Sequence, residues 1–231
     1  MAARLFAVIP AALPPRVFTA VRATIFVLAL LPFAELLRLG FTDRLGANPV
    51  EFVLRWLGTW TLVALLATLA VTPLRWMTGW AWLVRLRRML GLYAFFYGTL
   101  HVMAYVWIDH FFNWPEIAAD IAKRPYLTFG FVAYVLMVPL AVTSTNTMVR
   151  RLGGRNWQRL HRVVYLVGVL GVLHYWYHKL AKNDLATPTL YALLLGTLLG
   201  MRVLRWASGR PVPVPPSAGL RQGRRDSPAN S

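Results

Sequence analysis

The sequence contains no cysteine and few acidic residues, and both absences restrict what the protein can be. Without cysteine it has no disulfides, no cysteine-ligated iron–sulfur cluster and no C-x-x-C-H site for covalent haem attachment. Only 8 residues are acidic against 25 basic ones, which gives a formal net charge of +17. In a soluble protein that excess of positive charge would indicate nucleic-acid binding. Whether this interpretation applies here depends on where the basic residues lie along the chain.

Carboxylates are also scarce inside the apolar segments, and Glu35 is the one acid that comes near the middle of a span. A proton pathway or a transporter site would need such groups in mid-membrane. A zinc site would need compact histidine, cysteine or carboxylate ligands, and no such set occurs in the apolar segments. The sequence also lacks G-x-G-x-x-G and Walker motifs for nucleotide phosphates.

Long apolar runs are what the sequence has in excess. It is 58% hydrophobic over 231 residues, which is too much apolar surface for a soluble domain of this size, so we predict a polytopic membrane protein. A membrane-spanning helix needs about 20 mostly apolar residues. Six segments meet this requirement: 19–40, 52–72, 88–109, 126–146, 158–178 and 188–206.

We therefore predict an all-α fold, a membrane bundle of six transmembrane helices over residues 19–206. Residues 1–18 form an N-terminal segment whose apolar run is short and broken by prolines, so we expect no cleaved signal peptide. Residues 207–231 are rich in Pro, Ser and Arg, and this composition predicts a disordered tail.

The basic residues are predicted to lie mostly on one side of the membrane. Six spans put both termini on the same side, and that side collects 18 arginines against one acid, Asp226. The other side has seven basic and seven acidic residues. The positive-inside rule then makes both termini cytoplasmic. The basic side is also a candidate contact surface for anionic lipid or a soluble partner.

Two histidines within the apolar segments are the main functional signal. His101 lies in the third predicted span and His174 in the fifth, both nearer the outer end. Antiparallel helices would place them at similar depth. Two neutral imidazoles on facing helices are what a haem iron needs for two axial ligands. We therefore predict that His101 and His174 ligate a haem.

His161 lies too far from His174 along the chain to share that site. Thirteen residues of a straight helix separate the two by about 20 Å and about 140° of rotation. His161 is a candidate ligand of a second, inner haem, or else a polar interfacial or propionate contact. The facing positions on the third span hold Arg87 and Arg88 instead of histidine. They are candidates for propionate or second-site contacts.

The two remaining histidines are weaker candidates. His178 follows His174 by one helical turn and is a candidate propionate partner or alternative ligand, with an interfacial position favoured. His110 is expected to be a solvated loop residue. Glycines on the two histidine-bearing spans are open to two interpretations, clearance for a flat macrocycle or helix packing. They are Gly91, Gly98, Gly168 and Gly171.

The loop between the fourth and fifth predicted spans combines hydroxyl, amide, glycine and arginine residues. Such groups can hold a phosphate, including that of flavin mononucleotide, although a helix end followed by a positive-inside turn is favoured. The residues are Thr143, Ser144, Thr145, Asn146, Arg150, Arg151, Gly153, Gly154 and Arg155.

Four stretches carry a resemblance to a known family: GLYAFFYGTLHVMAYVWID, RPYLTFGFVAYVLMVPLAVTSTN, LGGRNWQRLHRVVYL and HYWY. Over about residues 15–205 the chain resembles the MsrQ/YedZ family, within the ferric-reductase-like transmembrane group. That family supplies the haem-binding membrane subunit of the bacterial MsrP–MsrQ methionine sulfoxide reductase system. Its ligand histidines fall by motif on His101, His161 and His174.

The resemblance implies a multi-pass bacterial inner-membrane subunit that carries haem b, one or two per chain, and also flavin mononucleotide (FMN). It would pass electrons from the quinone pool or a cytoplasmic flavin reductase to a periplasmic molybdenum-cofactor reductase, with which it would form a heterodimer. That partner reverses methionine oxidation in envelope proteins. The chain is then an electron-transfer subunit with no catalytic residues of its own. The alternatives are a stand-alone ferric or metal reductase and a non-redox membrane transporter.

Overall fold

The computed structural model describes residues 13–180 and 183–209, and every regular element in these two ranges is helical. A 3₁₀ segment, Ala81–Leu86, leads into the third long helix, and a π-helical segment, Ala104–Asp109, continues it. In chain order the α-helices are α1 Pro15–Phe41, α2 Pro49–Thr78, α3 Arg87–Met103, α4 Trp114–Lys123, α5 Pro125–Val142, α6 Asn146–Leu152, α7 Gly154–His161, α8 Val164–Leu180 and α9 Ala186–Ala207.

The all-α, multi-pass prediction is confirmed at this level. In the described ranges five helices are long and apolar enough to cross a membrane, namely α1, α2, the continuous segment Ala81–Asp109, α5 and α9. The predicted fifth span corresponds to α8, which has 17 residues. The count of six spans and the cytoplasmic position of both termini stay predictions. Most of the predicted N-terminal segment and disordered tail (residues 1–12 and 210–231) lies outside the described residues.

Two predicted boundaries and one predicted loop are wrong. The fourth span ends at Val142 instead of 146, because the amide of Thr143 closes the helix on the Pro139 carbonyl and Thr145 then caps α6. The fifth span does not begin at 158. The amide of Val163 donates to the carbonyl three residues back instead of four, that of Arg162 is shared between the two, and this turn separates α7 from α8. The outer loop after the third span contains the amphipathic helix α4, which is capped by Asn113.

Two helix pairs organise the bundle. α2 packs mainly on α3, and α5 packs mainly on α8. Buried apolar side chains of α2, α3, α5, α8 and α9 form the main cluster, with Leu69 fully buried and Val167 nearly so. A second cluster joins α1 to α2 and α3, where the hydroxyls of Tyr93 and Tyr97 donate to carbonyls of α1.

Arg202 connects α9 to a backbone defect in α2. Pro73 lies inside α2 and has no N–H, so it leaves the Leu69 carbonyl without its helical donor. The guanidinium of Arg202 donates to that carbonyl through Nη2 and, at 2.5 Å, to the Leu198 carbonyl through Nη1. It also lies 5.3 Å from the ring centre of Tyr165. Arg202 therefore supplies a hydrogen bond that the hydrocarbon region cannot supply from water.

Replacing Arg202 with methionine is expected to destabilise the bundle. The Leu69 carbonyl then loses its donor, which costs about 1–3 kcal/mol for a buried polar group. The measurement is thermal unfolding of the purified variant in detergent. Arg159→Met, at an exposed position, is the control and should melt like the parent protein. Equal melting temperatures for Arg202→Met and Arg159→Met would contradict this role.

Candidate functional site

The structure brings His101 of α3 and His174 of α8 together. Their ring centres are 6.1 Å apart and their planes are inclined by 75°. Both side chains are half-buried between the two helix pairs. The proximity expected from the sequence is therefore observed, and their role as ligands stays a prediction.

Each of these histidines is held by a backbone carbonyl of the neighbouring helix. His101 Nδ1 lies 3.0 Å from the Leu54 oxygen of α2, and His174 Nδ1 lies 2.7 Å from the Tyr126 oxygen of α5. A carbonyl only accepts, so Nδ1 carries the proton in both rings and Nε2 keeps its lone pair. This is the arrangement found in metal-ligating histidines, whose second nitrogen donates to a carbonyl or carboxylate.

The separation of the two rings fits a metal bound between them. A metal–imidazole bond is about 2 Å long, and a ring nitrogen lies about 1 Å from the ring centre, so two imidazoles on one metal have centres about 6 Å apart. In the described ranges no group of three histidine or carboxylate side chains converges as a compact metal site would require. Two imidazoles are also the protein ligands that a haem iron takes in many membrane cytochromes.

Two glycines make room for these imidazoles. A Cβ atom on Gly58 of α2 would lie 3.2 Å from Cε1 of His101, and one on Gly130 of α5 would lie 2.7 Å from Nδ1 of His174. Neither glycine was predicted from the sequence to be a site residue. The available signal was that a glycine inside an apolar helix costs about 1 kcal/mol relative to alanine and so indicates a close approach.

The four glycines selected from the sequence lie elsewhere in the bundle. The nearest atoms to a Cβ on any of them belong to threonine, leucine or methionine side chains of neighbouring helices, at 3.2 Å or more. Of the two interpretations left open, the structure favours helix packing. The residues concerned are Gly91, Gly98, Gly168 and Gly171.

His161 lies away from the other two histidines, at the end of α7. Its Nε2 is 3.1 Å from the Thr143 hydroxyl, and its ring stacks on Trp157 at 3.9 Å between centres. Trp157 Nε1 in turn donates to the Thr143 carbonyl at 2.9 Å. The estimate of rotation along one straight helix is wrong, because the chain turns between His161 and α8.

The two arginines at the start of α3 lie near His161 and Trp157. Arg88 donates to the Asn146 amide oxygen at 2.5 Å, and its guanidinium carbon lies 5.9 Å from the Trp157 ring centre. Arg87 and Arg88 both lie close enough to His161 to repel its protonated form. The structure therefore places all three basic side chains at the same end of the bundle.

His178 lies one turn beyond His174 on α8, toward the outer end. Its ring centre is 5.3 Å from that of Tyr126, whose ring is also 6.2 Å from His174. The Tyr126 residue therefore contacts both histidines and offers its carbonyl to one of them. His178 thus packs against the tyrosine whose carbonyl holds His174, and its role as a propionate partner or alternative ligand stays a prediction.

His110 is not the solvated residue that the sequence analysis expected. Its side chain is 11% exposed, and its two nitrogens lie 3.4 Å from Asp109 and 3.6 Å from Asp120. Its ring packs 4.4 Å from that of Tyr105. The reason is α4, which the sequence analysis missed and which carries Asp120 over the end of the third span.

The hydroxyl-rich loop after α5 uses its side chains locally. Thr143 and Ser144 donate to carbonyls of α5 at 2.6 and 2.7 Å, and Thr145 accepts from the Met148 amide at 3.2 Å as a helix cap. The interpretation as a capped helix end followed by a basic turn is therefore favoured over a phosphate cradle.

A helical membrane domain that brings histidines of two helices within reach of one metal defines a class of redox-active membrane proteins. Comparison with known families agrees with this class. A family model described as "Ferric reductase like transmembrane component" matches residues 54–172, a range that includes His101 and ends two residues before His174. No solved structure shows a significant match to the chain.

Curated relatives give a narrower family. The chain is 60% identical to the protein-methionine-sulfoxide reductase heme-binding subunit MsrQ of Ralstonia nicotianae, over 84% of this chain and 90% of that protein. The MsrQ proteins of Herminiimonas arsenicoxydans and Bordetella pertussis are 52% and 54% identical, over 84% and 85% of this chain and 88% and 96% of their own lengths. The chain belongs to the MsrQ family of ferric-reductase-like membrane proteins.

Proposed function

We propose that this chain is the haem-binding membrane subunit of a protein-methionine-sulfoxide reductase system and carries electrons to its catalytic partner. One observation carries the proposal: His101 and His174 face each other at 6.1 Å, each with Nδ1 bonded to a carbonyl. The relatives named as heme-binding subunits of that reductase support the same conclusion.

His101 and His174 would hold a haem b through their Nε2 atoms. When bound, the haem supplies reversible one-electron transfer. The carbonyls of Leu54 and Tyr126 keep both imidazoles in the tautomer that leaves Nε2 free to bind iron. Both side chains are half-buried among the membrane helices.

A second haem at the inner end is part of the same proposal. His161 is its candidate ligand, and Arg87 and Arg88 are candidates for its propionates. Binding iron through Nε2 requires His161 to give up its contact with the Thr143 hydroxyl. His178 supports the outer site through Tyr126. FMN, the flavin that the resemblance implies, has its candidate contacts in the arginines of the loop containing α6 and α7, where Arg150, Arg151 and Arg155 are exposed.

The proposed direction of electron flow follows from the charge distribution. The basic face is cytoplasmic and receives electrons from the quinone pool or a flavin reductase. The outer face, which carries α4, is periplasmic and meets a molybdenum-cofactor reductase in a heterodimer. His101 lies eight residues before the end of the third span at Asp109, so the outer site is close to this face. The same proposal locates the protein in the bacterial inner membrane.

Anaerobic reoxidation of the reduced protein tests this function. The purified protein is reduced with dithionite, freed of excess reductant, and mixed with the reductase subunit of the same system plus a methionine-sulfoxide peptide. With the reductase in a catalytic amount, we expect full reoxidation of the haem bands only when reductase and peptide are both present. The matched controls omit one or the other.

A stand-alone ferric reductase is the second candidate, because the matching family model is ferric-reductase-like. In the same assay a ferric chelate replaces the reductase and the peptide. Fast reoxidation by the chelate together with none by the reductase would favour this second candidate and contradict the first.

A further inference from the structure

We propose that Gly58 and Gly130 are positioning residues for the two ligand histidines, an inference that rests on the proposed haem function. Each glycine opens the surface of a helix that carries no ligand. The histidine of the adjoining helix can then lay its imidazole against that backbone. The helices α2 and α5 thus orient the ligands that α3 and α8 carry.

The two instances repeat one geometry. Leu54, which accepts from His101, lies four residues before Gly58. Tyr126, which accepts from His174, lies four residues before Gly130. In both cases the carbonyl that holds Nδ1 and the glycine that clears the ring are one helical turn apart on the same helix.

A shared spacing on two different helix pairs has a simple physical cause. The α2–α3 and α5–α8 pairs are the most extensively packed in the bundle. Residues four apart lie on the same face of a helix, so a ring whose Nδ1 bonds the carbonyl also meets the Cβ position one turn further on. At both sites Nδ1 itself is among the atoms nearest to that position, at 2.7 Å for Gly130 and 3.4 Å for Gly58. A Cβ atom at either glycine would press on the ring, more severely at Gly130 than at Gly58.

The two sites differ in how tightly the glycine is needed. An alanine Cβ at Gly130 would lie 2.7 Å from Nδ1 and 2.9 Å from Cε1 of His174, inside any normal contact distance. At Gly58 the nearest distances to His101 are 3.2 Å and 3.4 Å, which a small shift relieves. The imidazole of His174 therefore has to leave the Tyr126 carbonyl, whereas that of His101 is only displaced.

Loss of the Nδ1 hydrogen bond has a predictable effect on a bound haem. The bond makes Nε2 a stronger donor, and a stronger donor favours ferric over ferrous iron. Moving His174 off its acceptor therefore weakens haem binding and raises the midpoint potential. Outer-shell changes of this kind typically cost about 10–100-fold in affinity.

The test compares four alanine variants of the full-length protein. Gly130→Ala should bind haem about 10–100-fold more weakly and shift both the midpoint potential and the low-spin electron paramagnetic resonance signal. Gly58→Ala should keep its haem and show smaller shifts of the same sign. Gly168→Ala is the matched control, because its Cβ would meet Leu195 at 3.2 Å, the distance found at Gly58, but touches no histidine. Gly98→Ala is a second control, with 3.5 Å to Thr61.

A haem-free readout separates this inference from the proposed function. Nitrogen NMR of histidine-labelled apoprotein reports which ring nitrogen carries the proton. We expect Nδ1 protonation of His101 and His174 in the parent protein and loss of the His174 signal pattern in Gly130→Ala. If the parent binds no haem, the function fails while this readout still tests the glycines.

Two results would overturn the inference. One is a Gly130→Ala protein with the parent's haem affinity, potential and histidine signals. The other is a Gly168→Ala protein that shifts the potential as much as Gly58→Ala does, since general packing strain would then explain both. If Gly130→Ala fails to fold, Gly58→Ala against Gly168→Ala decides alone.

Discussion

Replacing His174 with alanine is expected to remove most of the bound haem, and replacing His101 should do the same. A haem that these two imidazoles would hold between α3 and α8 would lose one of its two protein ligands in either variant. Loss of an outer-shell partner alone costs about 10–100-fold in metal affinity, and loss of the ligand itself costs more. The haem-to-protein ratio of the purified variants should therefore fall to below about a tenth of the parent's value.

His110→Ala is the control for this experiment. His110 is also a largely buried histidine near the outer end, and its nitrogens face Asp109 and Asp120 instead of His101 or His174. It should keep the parent's haem content. Size-exclusion chromatography of each variant checks that the fold is retained. Full haem content in both His101→Ala and His174→Ala would rule out this ligand assignment.

The second large effect concerns topology and makes use of the absence of cysteine. Single cysteines at exposed positions can be labelled in spheroplasts with a membrane-impermeant maleimide. With six spans, Lys123→Cys and Asn183→Cys should label from outside, whereas Arg155→Cys and Ser208→Cys should label only after lysis. The expected difference is all or none, because the reagent reaches one face.

The α8 helix decides between five and six spans. Its 17 residues give about 25 Å of helix, slightly less than a hydrocarbon core of about 30 Å. At its outer end the ammonium of Lys179 pairs with Asp184, and this bond lowers the pKa of the Asp184 carboxyl. If α8 did not cross, Asn183→Cys would be protected and Ser208→Cys would label. That outcome would mean that the two termini lie on opposite sides of the membrane.

The sequence predicted the membrane helices because apolar length is a direct requirement of the bilayer. It failed at the end of α5 and the start of α8, where the predicted spans included largely polar stretches, 143–146 and 158–163, that lie outside these two helices. The turn between α7 and α8 goes with contacts made at a distance along the chain, above all that of Trp157 with Thr143. The helix α4 was missed because a ten-residue amphipathic helix is too short to register as a span.

The proximity of His101 and His174 was predictable from the sequence, and the backbone contacts that hold them were not. A histidine in an apolar segment is costly, so His101 and His174 stand out in the sequence. The glycines that clear them lie on other helices and are ordinary residues of apolar runs. Only the packing of α2 on α3 and of α5 on α8 reveals which glycine faces a histidine. The burial of His110 likewise depends on α4, which covers it through Asp120.

The most direct test of the central claim is the optical spectrum of the detergent-purified protein before and after dithionite, with the haem quantified as its pyridine haemochrome. The account predicts sharp low-spin b-type bands with at least one haem per chain, and two if the inner site at His161 is also filled. A colourless protein, purified from cells supplied with ample haem, would contradict it.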